Sequence, residues 1–309
     1  PGVFDVAGSS NTVESIFERE LSENFSFELY ATEKPSQALM DYHQRTGLPA
    51  LPPTWAFAPM QWRNGVEGEQ TILEDAEAIR ENGVATGLIW VDNPWQSSYN
   101  SMQPDPTMFP HWSEMVDQLH QMGFRFMAWS TPYVGEEDPE YSLYEQNGWF
   151  VDAPIVFNQF GPMVDFTHPE ALNAWEARVT AAKDIGIEGW KLDYGEDIQV
   201  GIGGASVSYG LAGDQNPRTL HHFWAAYYHR PYSDPYQGES LLLGRGGAMG
   251  TQTLTDVIWP GDLCSDFRTF QEDGHVGGLP SAIRAGTSLA ASGFPFFASD
   301  TGGLRHNRP

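Results

Sequence analysis

Four aspartates each follow a short apolar segment of this 309-residue sequence, and they are Asp92, Asp193, Asp262 and Asp300. A pair of carboxyl groups, one on each side of the glycosidic bond, is what glycoside hydrolysis requires. A single aspartate after an apolar segment is more simply explained as a loop cap or a turn former. Four in equivalent positions are poorly explained that way, so the pattern points to a site for sugar chemistry.

Aromatic and basic side chains are interleaved with these aspartates. They are Trp95, Trp129, Trp190, Trp259 and Arg245. An aromatic face can stack on the apolar C–H face of a pyranose, and carboxylates and arginine bind its hydroxyl groups. We therefore predict that these five residues bind the substrate together with Asp92 and Asp300. For each tryptophan the alternative is a place in the hydrophobic core.

Other chemistries are less well supported. Aspartates at strand ends could hold Mg²⁺ or a pair of hydrolytic metals, but no histidine follows a predicted strand and no H-x-H or H-E-x-x-H spacing occurs. No G-x-S-x-G motif indicates a serine nucleophile. Cys264 lies two residues after Asp262, where it could line the pocket, although a lone cysteine is more often inert packing. We predict no metal and no other cofactor.

The elements that carry these residues alternate between apolar strands and amphipathic helices. We predict strands at 55–60, 88–91, 124–129, 189–192, 240–243, 257–259 and 294–297. We predict helices at 36–46, 70–82, 113–122, 167–184, around 223–229 and at 280–292, the fourth opened by a capping box at 167–170.

This alternation predicts an α/β fold with a parallel sheet covered by helices, most simply a (β/α)8 TIM barrel. The C-terminal ends of barrel strands carry the active site, which places all four aspartates on one face. No G-x-G-x-x-G motif follows the first strand, which disfavours a dinucleotide-binding fold. An eighth unit is not visible, so we expect a barrel truncated before that unit, spanning 51–309.

The first fifty residues have a different character. Residues 25–30 alternate apolar and polar side chains and predict an antiparallel strand, followed by the helix at 36–46 and a proline stop at 51–53. We predict that 1–50 form the C-terminal part of an N-terminal β-sandwich with a linker helix.

Charge and composition restrict the partners. Lysine and arginine number 16 and aspartate and glutamate 41, which gives a net charge of −25. This acidity argues against binding to nucleic acid or to an anionic membrane surface. The single cysteine excludes an intramolecular disulfide. Localisation and oligomeric state are not indicated by the sequence.

Taken together, the motifs resemble glycoside hydrolase family 31, the retaining α-glycosidases. The matching segments read L-P-P-T-W-A-F-A at 51–58, I-W-V-D at 89–92, W-K-L-D-Y-G-E at 190–196, W-P-G-D at 259–262 and G-F-P-F-F-A-S-D-T-G-G at 293–303. Each motif alone is weak, but five in the order of the family are a strong resemblance.

The resemblance implies a double-displacement mechanism on an oligosaccharide or other α-glycoside. Asp193 would be the nucleophile and Asp262 the general acid/base, with their carboxyl groups roughly 5–5.5 Å apart. Asp92 and Asp300 would bind hydroxyl groups at subsite −1, and Arg245 would either hold Asp193 ionised or bind a hydroxyl.

The segment at 191–196 is nearer to the K-x-D-F-G-E form of α-xylosidases than to the W-x-D-M-N-E form of many glucosidases. Glucose, xylose, galactose and sulfoquinovose all remain open as the sugar. Transglycosylation with the same residues, and a non-catalytic carbohydrate-binding relative, are the alternatives to hydrolysis.

Overall fold

The computed structural model describes residues 28–64, 67–152, 160–195, 217–236, 238–268 and 277–304, together with the backbones of short strands at 3–5, 14–16, 201–202 and 205–206. The chain divides into two compact units, Pro1–Asp41 and Tyr42–Pro309. In the first unit, strands β1 (Val3–Asp5) and β2 (Glu14–Ile16) pair antiparallel. A β-sandwich at 1–50 stays a prediction.

Six strands of the second unit form one parallel sheet. They are β3 (Met60–Arg63), β4 (Leu88–Val91), β5 (Arg125–Ser130), β6 (Gly189–Leu192), β9 (Leu241–Gly244) and β10 (Val257–Ile258). Their spatial order is β10-β9-β6-β5-β4-β3, so that each strand lies beside the strands that precede and follow it in the chain among these six. A separate antiparallel pair, β7 (Gly201–Ile202) and β8 (Ala205–Ser206), lies between β6 and β9 in the sequence.

Among the described residues, six helices follow strands of the parallel sheet, as expected for βα units, and α1 precedes the sheet. The helices are α1 (Pro35–Thr46), α2 (Glu69–Glu81), α3 (Trp112–Gln121), α4 (Tyr141–Gln146), α5 (Pro169–Asp184), α6 (Pro217–Ser233) and α7 (Leu279–Ala291). None of these helices, within the residues that the structure describes, is both long and apolar enough to cross a membrane.

The apolar pattern explains why the sheet and the helices pack together. All four residues of β4 are buried, and so are those of β6 and β9, because a parallel sheet is covered on both faces. Helix α3 buries Met115, Val116 and Leu119, which lie on one face at helical spacing. The predicted α/β class and parallel sheet are confirmed, and the strands described form an open sheet of six.

The first barrel strand lies further along the chain than predicted. Residues Thr54–Phe57 form a 3-10 helix that follows Pro53, and β3 begins at Met60, directly after Pro59. Proline lacks the N–H needed for a strand ladder, so the apolar run 55–58 is excluded from the sheet. Residues 61–63, predicted to follow the strand, are therefore part of it.

Three further predictions differ from the structure. Residues 294–297 form no strand, and only Phe297 bridges to Ile258 in a segment interrupted by Pro295. No capping box opens α5, because the Thr167 hydroxyl donates instead to Asp165 Oδ1. Residues 28–30 form no strand, and the rest of the segment predicted at 25–30 lies outside the described residues.

Candidate active site

The strand ends place the predicted site residues side by side. The backbone N–H of Asp92 donates to Arg63 O, that of Asp193 to Ser130 O, and that of Arg245 to Leu192 O, at 3.0, 3.0 and 3.1 Å. The N–H of Trp259 likewise donates to Gly244 O at 2.9 Å. Each residue thus extends the ladder by one step beyond its strand. Because the strands are parallel, all four lie at the C-terminal edge of the sheet.

A cavity of about 360 Å³ opens at this edge. Of the predicted site residues, Asp92, Trp129, Asp193 and Asp262 line it. The rest of its lining is Trp62, Asn64, Asn93, Tyr99, Phe160, Lys191, Tyr194 and Leu304. A neighbouring cavity of about 770 Å³ shares Trp62, Lys191 and Leu304 and is also lined by Trp259 and Asp300. Three carboxylates and several aromatic rings therefore face the first cavity, which suits a sugar ring.

Asp193 is held by three N–H donors. Arg245 Nη1 donates to its Oδ1 at 2.6 Å, the Tyr194 backbone N–H donates to Oδ1 at 2.8 Å, and Trp129 Nε1 donates to Oδ2 at 3.0 Å. The residue is 7% exposed, so these bonds replace water around a nearly buried carboxylate. They fix the orientation of both oxygens.

Tyr194 has an unusual backbone conformation next to this carboxylate. Its φ of +59° lies in the left-handed region, which is uncommon for a residue with a bulky side chain. The conformation turns its N–H towards Asp193, and its ring lies 4.5 Å from the Arg245 guanidinium carbon. Strained backbone of this kind clusters at functional sites, which agrees with a site here.

Asp92 is held in a similar way. Trp62 Nε1 donates to its Oδ2 at 3.0 Å, and the Asn93 backbone N–H donates to Oδ1 at 2.8 Å. Burial raises the pKa of Asp92 above its ordinary value, while the Lys191 ammonium and the two N–H donors act in the opposite direction. Trp62 was predicted to follow the first strand but was not among the residues predicted to bind the substrate.

The loops that carry Asp262 and Asp300 are joined to each other. Gly261, at φ +87°, makes the turn before Asp262, which is half-buried. The Leu304 N–H donates to Leu263 O at 2.9 Å, and a Cβ at Gly303 would come within 2.7 Å of the Ser265 backbone. Only glycine fits at this close approach, so the G-G at 302–303 brings the two aspartate loops together.

Asp300 and Trp259 form one wall. Trp259 Nε1 donates to Asp300 Oδ2 at 3.0 Å, which fixes both side chains. Cys264 is buried and lines a different cavity, of about 280 Å³, that also includes Asp300. Among the described residues, no group of three or more His, Cys, Asp or Glu side chains could hold a metal ion.

Two of the predicted sugar-binding tryptophans lie in the core instead. Trp95 and Trp190 are both 0% exposed, and their rings pack against each other with centroids 6.2 Å apart. Trp95 Nε1 donates to Trp129 O, and Trp190 Nε1 donates to the Tyr236 hydroxyl. Neither lines the cavities at the strand ends. Both therefore belong to the hydrophobic core, which was the alternative stated for each tryptophan. Trp190 does so because it alternates with Lys191 in β6, and successive strand residues face opposite sides.

Comparison with known proteins agrees with the fold. The sequence pattern of the glycosyl hydrolases family 31 TIM-barrel domain matches residues 49–309, which is most of the chain. The chain therefore belongs to glycoside hydrolase family 31, and the six parallel strands described above are part of its TIM barrel.

The relatives in this family include glycosidases that act on O-glycosyl bonds. An α-xylosidase of Emericella nidulans is 25% identical over 293 residues, and α-glucosidase 2 of Bacillus thermoamyloliquefaciens is 27% identical over 298. Each alignment covers 90% of this chain and 36% of the relative. An isomaltosyltransferase of Sporosarcina globispora is 25% identical, over 87% of this chain and 27% of the relative. The chain spans about a third of the length of these curated relatives.

Solved structures share the fold. A family 31 α-xylosidase from a soil metagenome, complexed with xylose, superposes with a TM-score of 0.78 at 20% identity, over 89% of this chain and 40% of that chain. The cycloalternan-forming enzyme of Listeria monocytogenes, complexed with a pentasaccharide, gives a TM-score of 0.71 at 19% identity, over 90% of this chain and 28% of that chain.

Proposed function

We propose that the protein hydrolyses terminal α-linked glycosides with retention of configuration, with Asp193 as the nucleophile and Asp262 as the general acid/base. The observation that carries this proposal is that both aspartates line one cavity at the C-terminal edge of a parallel sheet. Asp193 is also held there by three N–H donors. Membership of family 31 supports the reaction class.

The reaction takes two displacements. In the first, an oxygen of Asp193 attacks the anomeric carbon while the bond to the leaving oxygen breaks and Asp262 donates its proton to that oxygen. The product is a β-glycosyl ester of Asp193. In the second, Asp262 accepts a proton from water as the water oxygen attacks the same carbon and the Asp193 carboxylate leaves. Two inversions restore the α configuration.

The other residues at the strand ends serve binding and orientation. Arg245, Trp129 and the Tyr194 N–H orient the attacking carboxylate. Asp92 and Asp300 accept hydrogen bonds from sugar hydroxyl groups, and Trp259 forms part of the wall beside them. The sugar at subsite −1 belongs to the set of glucose, xylose, galactose and sulfoquinovose, and an aryl α-glycoside of each, offered to the full-length protein, separates these possibilities.

Trapping tests the assignment of the nucleophile. A 5-fluoro glycosyl fluoride of the preferred sugar should label Asp193 in the full-length protein, and Asp193→Ala should abolish turnover. Azide added to Asp193→Ala should yield a β-glycosyl azide, because one displacement then takes place without the second. A label on another residue, or full activity in Asp193→Ala, contradicts the proposal.

A second candidate function uses the same residues. The isomaltosyltransferase and the cycloalternan-forming enzyme among the similar proteins favour transglycosylation, in which a sugar hydroxyl replaces water in the second displacement. Product analysis at high substrate concentration distinguishes the two, because a transglycosidase forms longer oligosaccharides. A non-catalytic carbohydrate-binding protein would instead bind sugar without releasing any product.

A further inference from the structure

Lys191 lies between the carboxylates at the strand ends. It belongs to β6, and its side chain is only 6% exposed. Its Nζ is 3.6 Å from Asp92 Oδ2 and 3.7 Å from Asp193 Oδ2. Both distances exceed those of ordinary hydrogen bonds, so the ammonium acts on the two carboxylates through its charge.

Aromatic faces enclose the same ammonium. Nζ lies 4.2 Å from the centre of the Trp259 ring and 4.9 Å from that of Trp90, both within the range of cation–π attraction. The lysine therefore lies beside Asp92 and Asp193 directly. It is linked to Asp300 through the Trp259 indole, which donates a hydrogen bond to that carboxylate.

We propose that Lys191 is a positioning residue, whose buried positive charge keeps Asp92 and Asp193 together as two neighbouring carboxylates so that one can bind the sugar and the other can attack it. The proposal rests on the proposed function for the roles of the two aspartates. The electrostatic part stands on the geometry alone.

The charge is needed because burial and mutual repulsion both disfavour two carboxylates here. Asp92 and Asp193 have side chains 15% and 11% exposed, and the charge of Asp193 acts to raise the pKa of Asp92. Lys191 is the largest influence that lowers the pKa of Asp92. Without it, the Asp92 carboxyl should take up a proton at a higher pH and lose its capacity as an acceptor-only ligand.

The remaining charges around Lys191 come from neighbouring elements. Arg245, after β9, pairs with Asp193 through Oδ1, whereas Lys191 lies near Oδ2. Asp262 lines the same cavity, and Asp300 is bonded to the indole that Lys191 covers. Arg245 therefore serves Asp193, whereas Lys191 is the cation that reaches Asp92.

The test compares Lys191→Met, Lys191→Arg and Lys183→Met in the full-length protein. Lys183 is a matched control, because its Nζ donates to Pro235 O and lies over the Tyr236 ring, away from the cavity. In Lys191→Met, kcat/KM should fall about 100-fold and the acid limb of its pH profile should move up by about one unit. Lys191→Arg should restore most of both, and Lys183→Met should change neither.

A second measurement needs no turnover. Lys191→Met should lower Tm by about 5–10 °C at pH 7, because two buried carboxylates lose their partner. At pH 4 the loss should shrink, since protonated carboxyls repel each other less. Lys183→Met should show no such pH dependence.

These readouts separate the two proposals. An inactive wild-type protein, or an active Asp193→Ala, would overturn the proposed function and leave the Tm comparison to decide the role of Lys191. A Tm loss that is equal at pH 7 and pH 4 would overturn the role of Lys191. So would a wild-type acid limb in an active Lys191→Met variant.

Discussion

The indole N–H of Trp129 offers a sharp test of how Asp193 is held. Trp129 Nε1 donates to Asp193 Oδ2 at 3.0 Å, while Oδ1 accepts from Arg245 and from the Tyr194 N–H. Trp129→Phe removes the donor but keeps an aromatic ring in a position that is 3% exposed. The carboxylate of Asp193, the proposed nucleophile, then loses a bond that fixes one of its oxygens.

The size of the effect follows from the kind of bond that is lost. A hydrogen bond to a charged group contributes about 1.5–3 kcal/mol, and roughly 1.4 kcal/mol corresponds to a tenfold change in rate. If the full bond acts in the transition state, kcat/KM falls by a factor of about 10 to 150. The remaining donors on Oδ1 keep the loss well below that of removing the nucleophile itself.

Steady-state kinetics on an aryl α-glycoside, with Tm measured alongside, provides the assay. Trp224→Phe is the matched control, because Trp224 is also buried but its Nε1 has no hydrogen-bond partner among the residues that the structure describes. Both variants lose the same atoms from the core, and Trp129→Phe should lose more stability because it also loses a hydrogen bond. Only Trp129→Phe should lose activity beyond the unfolded fraction.

Two results would refute this reasoning. Wild-type kcat/KM in a folded Trp129→Phe variant would mean that the indole bond does not orient the reacting carboxylate. An equal loss in Trp224→Phe would mean that the effect is general to the core and not specific to Asp193.

Three further predictions concern stability, each measured by urea unfolding. Asp138→Asn should cost about 1.5–3 kcal/mol, because the buried guanidinium of Arg178 loses its bidentate carboxylate partner and keeps, within the described part of the chain, only Glu140 as a charged partner. Burial lowers the pKa of His229 to about 3, so the free energy of unfolding should fall as pH drops from about 6.5 towards 3, and His229→Gln should flatten this dependence. Burial raises the pKa of Asp256 to about 6, so its charged form destabilises the folded state at pH 7. Asp256→Asn should therefore add about 1–3 kcal/mol to the free energy of unfolding at pH 7, provided that the bond from the Leu242 N–H is kept. The gain should become progressively smaller as pH falls from 6 towards 3.8.

The sequence predicted the fold wherever hydrophobic periodicity decides it. Strand β4 and strand β6 lie at the predicted residues, and α1, α2 and α7 begin and end within one residue of the predicted bounds. The strand predictions were wrong at 55–58 and at 294–297. Pro59 directly follows the first apolar run, and Pro295 lies within the second. In both places the missing N–H outweighs the apolar pattern, which alone does not distinguish a strand from packed irregular backbone.

The site was predictable to the extent that strand ends are predictable. Asp92 and Asp193 lie at the C-terminal edge of the sheet, as predicted, because each directly follows a buried strand. Lys191 was overlooked because a lysine inside an apolar strand gives no sign of which buried groups it faces. Trp95 and Trp190 were predicted to lie in the site because each is near an aspartate in the sequence. The sequence does not distinguish a tryptophan ring that faces the cavity from one that faces the core.

The charges at the strand ends do not cancel, and this bears on the proposed reaction. Among the described residues, Asp92, Asp193, Asp262 and Asp300 face the two cations Lys191 and Arg245. With Asp262 protonated, as the first displacement requires, three carboxylates still exceed two cations. The transition state of glycoside cleavage carries positive charge on the sugar ring, so one uncompensated carboxylate beside the ring stabilises it. A third cation at this edge would remove that excess. Lys191 can therefore hold two carboxylates in place without neutralising the site. Replacing Lys191 with a neutral residue should disturb the orientation and protonation of Asp92 and Asp193 more than it improves the attraction for the cationic transition state.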